Sequence, residues 1–119
     1  MLDIEIYETE DGRRPYEKWF ASVQSKRAQG RILKALNKLE YGMIGNVKTV
    51  DGPIREYKVN IDKGYRIFFA YYEQTLIVLL GGCSKDNKKE QRKAIQAAKE
   101  CWEDYQYQQE RKPDHEKSE

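Results

Sequence analysis

Three runs follow one another between Ile54 and Gly82: IREYKVNI, GYRIFFAYY and TLIVLLGG. Only Asp62-Lys63-Gly64 and the turn Tyr72-Glu73-Gln74 separate them. Turns that short join antiparallel neighbours, so the three runs predict a β-meander. The last run is apolar at consecutive positions, not alternate ones, which means burial on both faces of the sheet. Whatever else the chain builds must therefore supply helices to cover that sheet.

The flanking sequence supplies them. LDIEIYE alternates apolar and polar residues and predicts a half-buried strand, ended by DGRRP. Tyr16, Trp19, Phe20 and Val23 fall at helical spacing, with Pro15 in the first turn. Ser25 can cap a second helix with the stripe Ile32, Leu36, Leu39 and Met43. Gly30 inside that helix costs about 1 kcal/mol relative to alanine, so a bend or a later start is expected. YGMIGNVKTVDGP is expected to be a loop. Asn87 and Glu90 form an N-x-x-E capping pair before a last helix that buries Ile95, Ala98, Trp102 and Tyr105.

The expectation is an α+β fold. An N-terminal strand and the three-stranded meander form a small antiparallel sheet, packed with two N-terminal helices and one C-terminal helix. At 119 residues the chain has room for one domain, expected over 1–109, with a disordered charged tail over 110–119.

The start MLDIEIYETEDG lacks the basic and apolar segments of a signal peptide, and no apolar run reaches membrane-spanning length. A cytoplasmic protein with reduced thiols is expected, with Cys83 and Cys101 as small buried hydrophobes. The only histidine is His115, in the tail. General acid–base work by imidazole is thus poorly served. No H-E-x-x-H or C-x-x-C spacing points to a metal.

Positive charge is what remains. Net charge is +2, but the residues from Glu103 onward carry six acids against three bases, leaving +5 on residues 1–102. Five cations (Lys85, Lys88, Lys89, Arg92, Lys93) crowd the stretch GGCSKDNKKEQRKA, directly after the most apolar run. Cations at a helix N-terminus oppose its dipole, and a bound phosphate would offset that repulsion. The alternative is a solvated helix face. Lys48 lies in the expected loop, and Arg55 and Arg66 lie near strand starts. Meander geometry predicts that Arg66 and Lys85 converge, with the cations of that stretch as the rim of a site whose floor is Arg66, and leaves Arg55 toward the other end of its strand. Arg66 has Glu56 and Glu73 as possible ion-pair partners, and Arg55 has a surface or partner contact as its alternative. Tyr57, Tyr65, Phe69 and Tyr71 are either core residues or platforms for bases.

The segment from Gly42 to Glu100 resembles the core of the RelE/ParE toxin superfamily, in its HigB-like "addiction module killer protein" branch. The matching features are GMIGNVK, the IREYKV strand, GYR and LLGGCSK after a helical pair, running in order from about Tyr16 to Glu103. The resemblance implies the toxin of a type II toxin–antitoxin system, an endoribonuclease that cleaves mRNA, usually on the ribosome. It implies no metal or other cofactor, because the 2′-OH attacks the adjacent phosphate. It also implies an antitoxin, expected to be a small helix-turn-helix protein through which the complex binds operator DNA. Carried over residue by residue, Arg66 would clamp the scissile phosphate. Lys85 would stabilise the transition state, and Lys48 would bind phosphate or act as base. Arg55, Lys88, Lys89 and Arg92 would bind RNA phosphates. Several ribosome-dependent relatives place a tyrosine or histidine where this chain offers Gln91, with Tyr105 and Tyr107 farther along. That moves proton transfer to lysine or the ribosome. ParE-type relatives share the fold and poison DNA gyrase without RNase activity, which is the alternative function.

Overall fold

The computed structural model describes residues 1–112. Its elements are β1 (Asp3–Ile6), α1 (Pro15–Ser22), α2 (Lys26–Glu40), β2 (Val47–Asp51), β3 (Ile54–Val59), β4 (Tyr65–Tyr72), β5 (Leu76–Ser84) and α3 (Lys88–Glu110). The five strands make one sheet in the order β1-β5-β4-β3-β2. The α+β architecture and the β3-β4-β5 meander match the expectation. Most of the expected tail, including His115, lies outside the described residues.

Two features of the sheet differ. The expected loop over 41–53 contains β2, which pairs antiparallel with β3. Its short run VKTVD is flanked by Gly42, Gly45, Gly52 and Pro53, and it lies at the sheet's edge with a register shift between Thr49 and Asp51. Edge strands need pair on one side only, so weak local signals suffice. The sheet is also mixed, because β1 pairs parallel with β5. No short turn joins these two strands, so nothing local imposes an antiparallel partner.

The apolar run of β5 is split between two cores. Ile77 and Leu79 pack with Ile67 and Phe69 beneath α1 and α2, while Val78 and Leu80 pack with Phe68 and Ala70 beneath α3. Phe68 and Phe69 are both fully buried because successive side chains face opposite sides of a sheet covered on both faces, and the register shift beside them leaves Leu80 of β5 as the extra residue. The helix signals hold locally. Pro15 opens α1. The Ser25 hydroxyl accepts from the Ala28 N–H at 3.0 Å, and the Asn87 side chain accepts from the Glu90 N–H at 3.1 Å. Gly30 is simply carried within α2. The buried stripe of α2 is Ala28, Ile32, Ala35 and Leu39. Met43 does not join it, because the helix ends at Glu40 and Gly42 turns the chain at φ +77°.

Gly82 explains half of the double glycine. A Cβ there would fall inside the Trp19 indole, which lies on the strand. Replacing Gly82 by Ala is expected to cost about 1–3 kcal/mol by overpacking, and less in a Trp19→Leu background. Urea unfolding of the two single variants and the double variant measures this directly.

Candidate active site

Side chains alternate across a strand, so Glu56 shares the α3 face with Ile54, and Arg66 shares it with Phe68. Lys48 sits opposite Glu56 on β2, and Cys83 sits opposite Arg66 on β5. A polar row therefore crosses four strands on the α3 side. At its centre Glu56 is fully buried, the only buried charged residue described. Arg66 Nη1 donates to both of its oxygens, at 2.7 and 3.0 Å. Lys48 Nζ stands 3.9 Å from the same carboxylate, with its side chain half exposed. Of the two ion-pair partners open to Arg66, the fold selects Glu56. The choice follows from register, since the two residues are diagonal neighbours on adjacent strands. Arg66 Nε is buried and has no hydrogen-bond partner among the described residues.

Lys85 is fixed by a different set of contacts. Its backbone N–H donates to the Gly64 carbonyl at 3.0 Å, and the Gln91 amide donates to the Lys85 carbonyl at 2.7 Å. Its stem lies across Gly64, where a Cβ would come within 2.7 Å of Lys85 Cδ. Gly64 also adopts φ +84°, a conformation that disfavours other residues. Lys85 Nζ ends 3.5 Å from Asn60 Oδ1. The backbone thus brings Lys85 beside the start of β4, as the meander requires. The expected convergence does not extend to the side chains, because the register turns Arg66 to Glu56 while Lys85 reaches Asn60.

The remaining cations divide between the two faces. Lys88, Lys89 and Arg92 are exposed on the first turns of α3, and none is in an ion pair among the described residues. Arg55 belongs to the opposite face, where its guanidinium lies 5.0 Å from the Tyr71 ring centroid. It does not join the Lys48–Glu56–Arg66 row. Tyr57, Tyr65 and Phe69 are buried core residues, and Tyr71 packs partly buried against the same core. Lys58 escaped the sequence reading. Its spacing of two from Glu56 put it on the α3 face, and pairing places it opposite Arg66.

A groove of about 710 Å³ adjoins this end of the sheet, with Trp19, Lys63, Tyr65, Cys83, Ser84 and Glu90 on its walls. Burial pushes the pKa of the Cys83 thiol on that wall up to about 11. Burial likewise raises Cys101 to about 11 and Tyr16 to about 12. Tyr7 and Tyr105 are raised by burial and then by hydrogen bonds to Asp104 and Glu5. Each of these groups holds its proton longer folded than unfolded. Their contribution is fully present below about pH 9, where an unfolded cysteine begins to ionise, and is lost as pH rises toward the folded values. Thermal melts should be flat in this respect up to about pH 9 and show a falling Tm from there to pH 11. A Tm unchanged over that interval would contradict the burial of these groups. Among the described residues, no group of three His, Cys, Asp or Glu side chains is placed to hold a metal ion. No described helix is long and apolar enough to cross a membrane.

The chain is 29% identical over 84 residues to an uncharacterized protein of Haemophilus influenzae, a match covering 71% of this chain and 82% of that protein. The family model described as "Phage derived protein Gp49-like (DUF891)" matches residues 18–103, from α1 into α3, and so spans Lys48, Glu56, Arg66, Lys85 and the cations at the start of α3. The chain belongs to this Gp49-like family, which falls within the Gp49/HigB-like group of type II toxin–antitoxin toxins.

Proposed function

We propose that the protein is the toxin of a type II toxin–antitoxin pair, of RelE/HigB type. It cuts mRNA without a metal, on the ribosome and in the cytoplasm, until a cognate antitoxin silences it. The observation that carries this reading is the placement of Lys85. Its stem is seated on a glycine, its backbone is held from both sides, and among the described residues its ammonium approaches only the Asn60 amide oxygen, at 3.5 Å. With no ion pair to it among the described residues, that ammonium is available to a phosphate.

The reaction fits cations. A 2′-OH of the RNA attacks the adjacent phosphorus and expels the 5′-oxygen. The products are a 2′,3′-cyclic phosphate and a 5′-OH end, with the attacking proton delivered in net to the leaving oxygen. Negative charge builds on the phosphoryl oxygens as the reaction proceeds, and Lys85 stabilises it. Lys48 contributes positive field beside the buried Glu56. Arg66 is neutralised by that carboxylate, so it contributes a rigid, partly exposed donor more than net charge. Lys88, Lys89 and Arg92 bind flanking phosphates at the start of α3, where free N–H groups add to their attraction. Gln91 holds the loop that carries Lys85, which leaves proton transfer to lysine or to the ribosome. The antitoxin partner is a helix-turn-helix protein that carries operator binding for the pair.

Mapping 5′ ends on a reporter mRNA in a translation extract tests this reading, with ribosomes present or removed. Intact mRNA together with double-strand DNA breaks and an SOS response would instead mark a gyrase poison.

A further inference from the structure

A small groove of about 60 Å³ lies between α2 and the end of β3, away from the Glu56 row. Arg31, Lys34 and Lys38 line one side, and Asn46 and Asn60 are also in its lining. Among the described residues, no carboxylate lines it. The three cations are spaced three and four residues apart, so they form one line about 10 Å long on the helix. Arg31 and Lys34 are exposed, and Lys38 is half-buried. None of the three is in an ion pair among the described residues. The only acid in α2 is Glu40, so like charges one turn apart stand uncompensated, at a few tenths of a kcal/mol per pair.

The groove leads to the proposed site. Asn60, in its lining, is also the residue that Lys85 Nζ approaches. Its apolar lining residues, Ala35, Tyr57 and Val59, are buried. The exposed apolar residues Leu33, Tyr41, Met43 and Ile44 lie elsewhere. Cations and amides without accessible apolar surface suit a phosphodiester backbone and give an amphipathic peptide little to bury.

We infer that the α2–β3 groove binds the sugar-phosphate backbone of an RNA strand, a few nucleotides away from the phosphate at Lys85. The inference rests on the ribonuclease reading for the position of the cut, but its test does not depend on cutting. The probe is a labelled 2′-O-methyl RNA of about twenty nucleotides, which lacks the attacking hydroxyl. Binding is measured against salt concentration for the wild type, for Arg31→Gln/Lys34→Gln/Lys38→Gln, and for the charge-matched control Lys18→Gln/Lys26→Gln/Lys112→Gln. Circular dichroism confirms that all three are folded. Losing three phosphate contacts should make the log–log salt slope shallower by about 2, at roughly 0.7 per contact on single strands. The control should keep the wild-type slope.

Equal slopes for the groove variant and the control would overturn the inference, as would a wild type that does not bind the strand. Retained RNA binding with lost binding of a polyglutamate peptide would also overturn it, and would assign the groove to an acidic protein segment. Groove-dependent binding by a wild type that never cuts unmodified mRNA would support the groove and overturn the ribonuclease reading alone.

Discussion

Arg66→Ala is expected to destabilise the fold by about 3–5 kcal/mol, enough to lower the Tm by roughly 10–20 °C in a domain of this size. The reason is Glu56. Its carboxylate is wholly buried, and both oxygens are held by Arg66 Nη1. Lys48, at 3.9 Å and half exposed, is too distant and too solvated to replace it. Removing Arg66 leaves a buried charge without a close partner. Replacing both residues by apolar side chains does not, so Glu56→Leu/Arg66→Met should recover most of the lost stability. Urea unfolding of Glu56→Leu, Arg66→Met and the double variant measures the coupling. If Arg66→Ala melts within about 1 kcal/mol of the wild type, the buried pair is not what holds this part of the sheet. One consequence is practical. Loss of toxicity in Arg66→Ala cells would report unfolding as readily as lost catalysis, so the best candidate from the sequence is a poor probe of the chemistry.

Lys85→Ala is the cleaner probe. Lys85 is half-buried, in no ion pair among the described residues, and makes its firm hydrogen bonds through its backbone. Truncation should therefore change stability by only about 0.5 kcal/mol. Cleavage should fall about 10²- to 10³-fold, the usual loss when a transition-state charge stabiliser is removed. The effect should appear at saturating mRNA, because the interaction grows as charge builds on the phosphoryl oxygens. A folded Lys85→Ala protein that cleaves at the wild-type rate would remove Lys85 from the mechanism and leave the observed seating on Gly64 without a purpose.

Structure was legible in this sequence where its signal was local. The apolar run Thr75–Leu80 announced a sheet covered on both faces because consecutive burial is written in consecutive residues. Ser25, Asn87 and Pro15 marked helix starts because a cap involves residues within one turn. β2 was hidden because its pairing with β3 is a tertiary fact and its five residues sit among turn formers. The parallel lane of β1 was hidden for the same reason. At the candidate site, meander logic placed Lys85 near Arg66, since strand direction is enough for that. It did not show that the two side chains part, because this depends on register between β3 and β4 and on the free space over Gly64. Arg55 fell to the other face by simple alternation from Ile54. That much was legible and could have separated it from Lys48 and Arg66 once Lys48 was seen to be on a strand.

The most direct test of the central claim adds purified wild-type protein and Lys85→Ala to a translation extract and maps 5′ ends on a reporter mRNA, with and without ribosomes. The account predicts cuts in frame, only when ribosomes are present, with 5′-OH ends, and lost with the variant while its fold persists. Intact mRNA in the presence of folded wild-type protein that still arrests growth in cells would contradict it.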